Sequence, residues 1–246
     1  GRLMALTSGG EERYAWGLGD VDTEAAKVWS PDGGRLLVRR TDARQVHHMP
    51  VVHWLKAQQE EITWQAYAGS GEVISGHELH VFDVISGESV QLDVGESHDQ
   101  ELYPLGWRPD GSEVLICNRD TNTVTFFNLW TSMITDTVDV GVFPMDIAIL
   151  PDGQHAVVPN AFSNTVSVID IPSRTVIAEI PITGSQPYRV EVCSSNNDLV
   201  AVGVIDDAVT SYSSVSIIDV STLTEVASIP TVSQGAFGAF FTPEVG

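Results

Sequence analysis

The residues whose types could do chemistry fall into a few groups. His47, His48 and His53 lie close together, and His77 and His80 bracket the stretch H-E-L-H. Histidines three apart on a strand point to opposite faces, so His77 and His80 would not share a metal ion. The stretch is also not the helical H-E-x-x-H of zinc hydrolases. No metal and no cofactor are expected. Glu60 and Glu61 are adjacent carboxylates. On a strand they face opposite ways and cannot serve one site, so they read as a solvated pair. Arg39, Arg40 and Arg44 are the one basic concentration. They read as ion-pair partners for local acids, with anion binding as the alternative. No G-x-S-x-G occurs, so the strand–elbow–helix of serine hydrolases is missing from the sequence. Cys117 and Cys193 sit in apolar runs and read as buried thiols. No catalytic residue is assigned.

Composition narrows the classes further. The 246 residues carry 33 acids against 12 Lys and Arg, a net charge of −21. Lys27 and Lys56 are the only lysines. Such a field repels nucleic acids and anionic membranes, and it keeps the chain soluble. Hydrophobic residues make up 43% and charged residues 18%, which is a globular composition. No apolar run approaches the about 20 residues of a membrane helix. The chain starts at Gly1 with neither an initiator Met nor a signal peptide, and reads as a trimmed or internal piece.

Two turn signatures recur along the chain and show what must position these residues. The first is W-S-P-D-G at 29–33, W-R-P-D-G at 107–111 and L-P-D-G at 150–153, with weaker copies at 193–197 and 242–244. The second carries an Asp or Asn at 83, 128, 170 and 219, at intervals of 45, 42 and 49 residues. Between the signatures run short apolar or alternating segments, four to a unit, with little helical periodicity. Repeats of four short strands predict an all-β chain, a β-propeller of four-stranded antiparallel blades. A sandwich would lack the fixed phase of P-D-G. Units are complete over 101–141, 142–183 and 184–231. An earlier unit over 24–95 carries a long insertion between its second and third strands. Residues 235–243 read as the inner strand of a partial fifth blade, to which 2–8 could add an outer strand. The whole chain, 1–246, reads as one propeller domain.

Propellers bind ligands at the axial channel, near the starts of the inner strands. By phase these positions fall near Pro104, Asp146, Arg189 and Gly238. Asp146 and Arg189 lie on consecutive blades and would face each other as an ion pair or a polar binding site. Incomplete blades expose strand edges, which predicts self-association.

Two resemblances follow from longer stretches. Residues 14–116 resemble the N-terminal propeller of the dipeptidyl peptidase IV family of prolyl peptidases. The resemblance rests on Y-A-W at 14–16, V-W-S-P-D-G-G-R-L-L-V-R-R-T-D at 28–42, Y-A-G-S-G-E at 67–72, E-L-H-V-F-D-V-I-S-G at 78–87 and L-Y-P-L-G-W-R-P-D-G-S-E at 102–113. Residues 118–231 look like YVTN-type propeller repeats, through N-T-V-S-V-I-D-I-P-S-R-T-V-I-A-E-I-P-I and its neighbours. A change of blade family near Asn118 would make the chain a natural or engineered hybrid.

The first resemblance implies a substrate-anchoring motif, Tyr-Asp-Trp-Val-Tyr-Glu-Glu, whose two carboxylates hold a peptide's free amino terminus. On this chain Tyr14 and Trp16 match, while the glutamates fall on Gly19 and Asp20. One carboxylate is lost and the other shortened. Tyr14, Trp16, Asp20, Asp146 and Arg189 are therefore the candidate binding residues. The resemblance implies a non-catalytic scaffold that gates peptide access or binds protein or peptide, in an extracytoplasmic setting. The alternatives are a lactonase-like YVTN propeller enzyme with its site at the channel mouth, and a hybrid with no evolved ligand.

Overall fold

A computed structural model describes residues 5–11, 13–17, 28–53, 61–93, 102–193, 196–205 and 213–231. Its described elements form a β-propeller array of four four-stranded antiparallel sheets, with one two-stranded hairpin. Blade one contains β1 (Tyr14–Gly17), β2 (Arg35–Asp42), β5 (Gly76–Asp83) and β6 (Ser89–Leu92). The hairpin, β3 (His48–His53) and β4 (Glu61–Ala66), is inserted between β2 and β5, where the sequence places the insertion. Blade two is β7 (Leu102–Trp107), β8 (Glu113–Asn118), β9 (Thr123–Asn128) and β10 (Met133–Asp139). Blade three is β11 (Ala148–Ile149), β12 (His155–Asn160), β13 (Thr165–Asp170) and β14 (Thr175–Pro181). Blade four is β15 (Pro187–Val192), β16 (Leu199–Ile205), β17 (Ser213–Asp219) and β18 (Thr224–Thr231).

The repeated turns have a repeated mechanism. In each P-D-G turn the glycine takes a left-handed backbone, with φ of 67° at Gly33, 68° at Gly111 and 67° at Gly153. Its amide donates across the turn at 2.8 Å to Ser30, Arg108 and Leu150 respectively. The Asp carboxylate then accepts the amide two residues on, Gly34 at 2.9 Å, Ser112 at 3.0 Å and Gln154 at 2.7 Å. Blade four does the same with Asn196, which accepts the amide of Asp198 at 3.1 Å. In the second turn Asp83, Asn128, Asp170 and Asp219 accept amides further along the loop. The next residue of each turn reaches back to the first turn, as Val84 does to the Gly34 carbonyl and Val220 to that of Asp198.

Blades pack face to face, and the strand period of two decides which neighbour each residue meets. Leu37, Leu79, Val81 and Leu92 of blade one meet Trp107, Val114, Ile116 and Phe127 of blade two. Leu115, Cys117, Val124 and Phe126 meet Ile147, Ala156, Val158 and Ile169 of blade three. Val157, Val166, Val168 and Ile180 meet Val190, Val200, Val202 and Ile218 of blade four. Each blade thus has a leading face toward the preceding blade and a trailing face toward the following one. Both cysteines are buried, and neither is in a disulfide.

One expectation needs correction. The first blade's inner strand does not lie wholly within 24–95. Tyr14–Gly17 pairs with Arg39–Asp42 at one end of β2, and Trp29 bridges Leu36 near the other. The inner strand is therefore interrupted, because its two halves are separated in sequence by residues 18–28. Residues 5–8, expected as part of an outer strand, have no regular structure, and the Ser8 carbonyl accepts the Trp16 indole of blade one. The partial fifth blade at 235–243 lies outside the described residues.

Candidate functional site

The leading face of blade one gathers the largest set of interacting polar and aromatic side chains among the described residues. The register Trp16↔Arg40↔Glu78 and the pair Val38↔His80 place Tyr14, Trp16, Arg40, Glu78, His80 and Phe82 on one face. The opposite face carries Leu37, Leu79 and Val81. Alternation therefore separates an apolar blade contact from a polar surface within the same three strands.

Glu78 is the hub. One carboxylate oxygen accepts the Tyr14 hydroxyl at 2.9 Å, and the other lies 3.2 Å from His80 Nε2. The bond to Glu78, then burial, then the carboxylate's charge raise the Tyr14 phenol above its ordinary value, against the pull of Arg40 and Arg44. The Arg40 guanidinium lies 3.4 Å from the Tyr14 ring centroid and 4.6 Å from that of Trp16. It also donates to the Gly9 carbonyl at 2.8 Å. The Trp16 indole donates to Ser8 at 3.0 Å. Its ring stands edge-on to His80 at 4.8 Å and to Phe82 at 5.6 Å. Residues 8–10 thus cross the face as a strap, and Phe82 beneath is 3% exposed. Arg44 pairs with Asp42 at 2.6 Å and stacks over Tyr14 at 4.1 Å. The arginines expected to pair locally include two that stack on aromatic rings.

Of the five candidate residues, Tyr14 and Trp16 meet here. Asp20 lies outside the described residues, as do Gly19 and Glu60. Asp146 and Arg189 lie near consecutive inner strands, 44 residues by chain from the Asp146 carboxylate to its partner, the Val190 amide, at 3.0 Å. The other Asp146 oxygen accepts the Ile147 amide at 2.7 Å, and the residue is fully buried. Asp146 therefore fastens blade four's inner strand to blade three through the residue next to Arg189. The Arg189 guanidinium sits 6.0 Å from the Tyr188 ring centroid. Phe143 and Phe162 of blade three stack at 4.3 Å.

Histidine placement follows strand geometry. His77 faces Thr41 at 3.4 Å, and His80 faces Trp16 on the other side of the sheet. His48 contacts the Val46 carbonyl at 3.0 Å. Among the described residues no group of three or more His, Cys, Asp or Glu is placed to hold a metal.

Two structural hubs were not among the candidate residues. Glu78 is one. Glu113 is the other, a buried carboxylate that takes Arg174 Nη2 at 2.6 and 2.9 Å and Arg108 at 3.1 Å. Arg174 comes from blade three, so the pair clamps two blades. The available signal was alternation: Glu78, His80 and Phe82 share a face by spacing alone.

Comparisons with known proteins agree with this geometry. The family model described as the dipeptidyl peptidase IV (DPP IV) N-terminal region matches residues 1–141. The match passes Asn118 without a break and takes in all of blade two, and the comparisons give the YVTN resemblance no support. Hydrazine synthase of Kuenenia stuttgartiensis is similar in fold, at a TM-score of 0.60 and 18% identity, over 82% of this chain and 47% of that one. A structure described as a dipeptidyl aminopeptidase IV from Bacteroides ovatus is similar at a TM-score of 0.59 and 14% identity, over 92% of this chain and 43% of that one. The chain spans less than half the length of either.

Proposed function

The chain belongs to the dipeptidyl peptidase IV N-terminal-region family, and from that premise we propose that it is a non-catalytic propeller scaffold that restricts peptide access to a catalytic domain. The observation that carries this reading is the use made of Tyr14 and Trp16. The Tyr14 hydroxyl is bonded to Glu78 and the Trp16 indole to Ser8. Both oxygens of Glu78 already face protein groups. A peptide's ammonium group needs several anionic acceptors to leave water. On this face the retained residues of the anchor motif hold the blade together instead.

The test is an assay of the purified chain with Ala-Pro and Gly-Pro anilides. The expected result is no release of amine above buffer. Release proportional to protein concentration overturns the reading. Calorimetric titration with a Gly-Pro peptide addresses the anchor separately. Binding that Asp20→Asn abolishes would restore a substrate-anchoring role to that residue.

A further inference from the structure

The end of each blade where its P-D-G turn and its second turn meet is built alike in all four blades and finished differently in two. The second turn needs an Asx side chain that accepts amides of its loop. Asp83 takes Ile85 and Ser86, Asn128 takes Trp130 and Thr131, Asp170 takes Ser173, and Asp219 takes Ser221 and Thr222. The residue two places after the Asx stands at the tip of the turn. In blades three and four it is Pro172 and Ser221, so the turn forms without a large apolar side chain there. In blades one and two it is Ile85, 86% exposed, and Trp130, 72% exposed. The residue paired with Asn128 is Met133, 64% exposed, where blades three and four have Thr175 and Thr224.

Arg35 links the two tips. Its backbone pairs with Asp83, its guanidinium donates to the Gly111 carbonyl of blade two at 3.4 Å, and Cζ lies 5.1 Å from the Trp130 ring centroid. One face of the indole meets Arg35, and the exposure of Trp130 leaves the other face to water. Asp32 and Asp83 feel the charge of Arg35, and Asp110 precedes Gly111. Each of these carboxylates has its Oδ1 pinned by amides or a hydroxyl of its own turn, which fixes its orientation. Arg108, the next cation, is paired with Glu113.

We propose that this surface, formed by Trp130, Ile85 and Met133 around Arg35, docks a basic segment of a partner protein. A guanidinium or ammonium group of the partner lies over the open face of Trp130 and against Asp83 and Asp32. Arg35 is the chain's own template for that contact, a guanidinium already seated on the same ring. Indole is the best aromatic face for a cation, and the exposed Ile85 and Met133 suit the aliphatic stems of Lys and Arg. The net charge of −21 attracts such a segment and repels an acidic one. The surface is distinct from the Tyr14 cluster, since Tyr14 pairs with Asp42 at the far end of β2 from Arg35.

The probe is the peptide acetyl-Leu-Arg-Leu-Arg-amide, with its Gln and Glu analogues as controls. The readout is the Trp130 indole N–H signal in a proton–nitrogen NMR spectrum, assigned by its loss in Trp130→Ser. The arginine peptide, taken to about 2 mM, where a small contact of this kind saturates, should shift that signal, and the analogues should not. Added salt should weaken the binding. Affinity should fall about tenfold in Trp130→Ser, followed at the Ile85 amide, as for a hot-spot aromatic. Asp83→Asn keeps the turn as Asn128 does and should weaken binding about threefold, as a surface charge does. Phe162→Ser, at an exposed aromatic of the opposite end, should change nothing. Circular dichroism establishes that each variant is folded. An unmoved indole signal, an equal response to the Gln peptide, or binding indifferent to both Trp130→Ser and Asp83→Asn overturns the proposal. A shift of the signal on dilution of the chain alone would give the face to a second copy, and one produced by a neutral glucan hexasaccharide in place of the arginine peptide would give it to a glycan. Either also overturns it.

Discussion

At the leading face of blade one, Arg40 lies between Tyr14 and Trp16, and Glu78 and His80 line the same surface. At the trailing face of blade four, Val215, Ile217 and Ile229 stand where covered residues stand in every other blade. These are the two ends of one described array, and they are finished differently. The contrast can be located in a few positions. Ile116↔Thr125, Val158↔Ser167 and Val202↔Ser216 are equivalent pairs on the leading faces of blades two to four. Their small hydroxyl side chains let the preceding blade approach closely. In blade one the equivalent pair is Val38↔His80, and the next is Arg40↔Glu78. Large, charged side chains occupy that face in blade one.

The sharpest way to break this comparison is to truncate one large side chain at each end. Phe82 is 3% exposed beneath Trp16, so Phe82→Ala should cost about 3–5 kcal/mol. Ile217 is only half-buried, so Ile217→Ala should cost about 1 kcal/mol. Urea unfolding of both variants at low protein concentration gives the two values. Equal costs would mean that the two faces are equally covered.

The middle of the array sets the reference. Glu113→Ala removes the carboxylate that pairs with both Arg174 and Arg108 and leaves two half-buried guanidinium groups without it. A loss of about 3 kcal/mol is expected, because an uncompensated buried charge costs more than the pair contributes. Conversion of all three residues to apolar ones should recover much of it. Chemical denaturation of the single and triple variants distinguishes a clamp from a bystander.

These hubs also mark what was legible in the sequence. The turns were legible because their causes are local: a glycine at positive φ and an Asx side chain bonded two residues on need only a handful of neighbouring residues. Four repeats of such turns sufficed for the propeller, and Y-A-W with the P-D-G stretches for the family. The interrupted inner strand was not legible, since A-A-K-V-W-S before P-D-G has the look of a strand while Tyr14–Gly17 does the pairing with Arg39–Asp42. Glu113 and Arg174 are 61 residues apart, and nothing in either segment points to the other. Asp146 was expected to face Arg189, whereas its carboxylate takes the amide of Val190, a main-chain group that carries no side-chain signal. The YVTN resemblance of 118–231 rests on stretches that share the blade's general strand pattern, and the family match overlaps only its first residues, to 141.

Arg40→Met comes next in size. It keeps much of the aliphatic stem and removes the charge, the two ring contacts and the bond to Gly9. A loss of about 1–2 kcal/mol is expected for contacts of this kind. Amide exchange at Gly9 and Gly10 should accelerate at the same time, because the strap loses one of its two side-chain anchors. Unchanged exchange would mean that Trp16 alone holds the strap, and the capped end would then rest on a single hydrogen bond.

The smallest effect should be common to both ends. Asp83 is held below the ordinary carboxylate value by the Ser86 and Ile85 amides and the Ser86 hydroxyl. Asp219 is held low by the Ser221 hydroxyl, with the Thr222 and Ser221 amides adding to it. Since the folded value lies below the unfolded one, the stabilisation is fully present above the ordinary aspartate range near about 4. It is lost as pH falls through the folded value. Blade two already contains the control. Asn128 accepts the Trp130 and Thr131 amides at 2.9 and 3.0 Å with a side chain that does not titrate. Asp83→Asn and Asp219→Asn should therefore keep the turn and each remove one step of the acid sensitivity, by the same small amount. Thermal midpoints followed from pH 6 to pH 3 measure it. A larger change for Asp219 than for Asp83 would show that the lower burial of blade four's trailing face loosens its own turns, and that the difference between the two blades reaches into their loops.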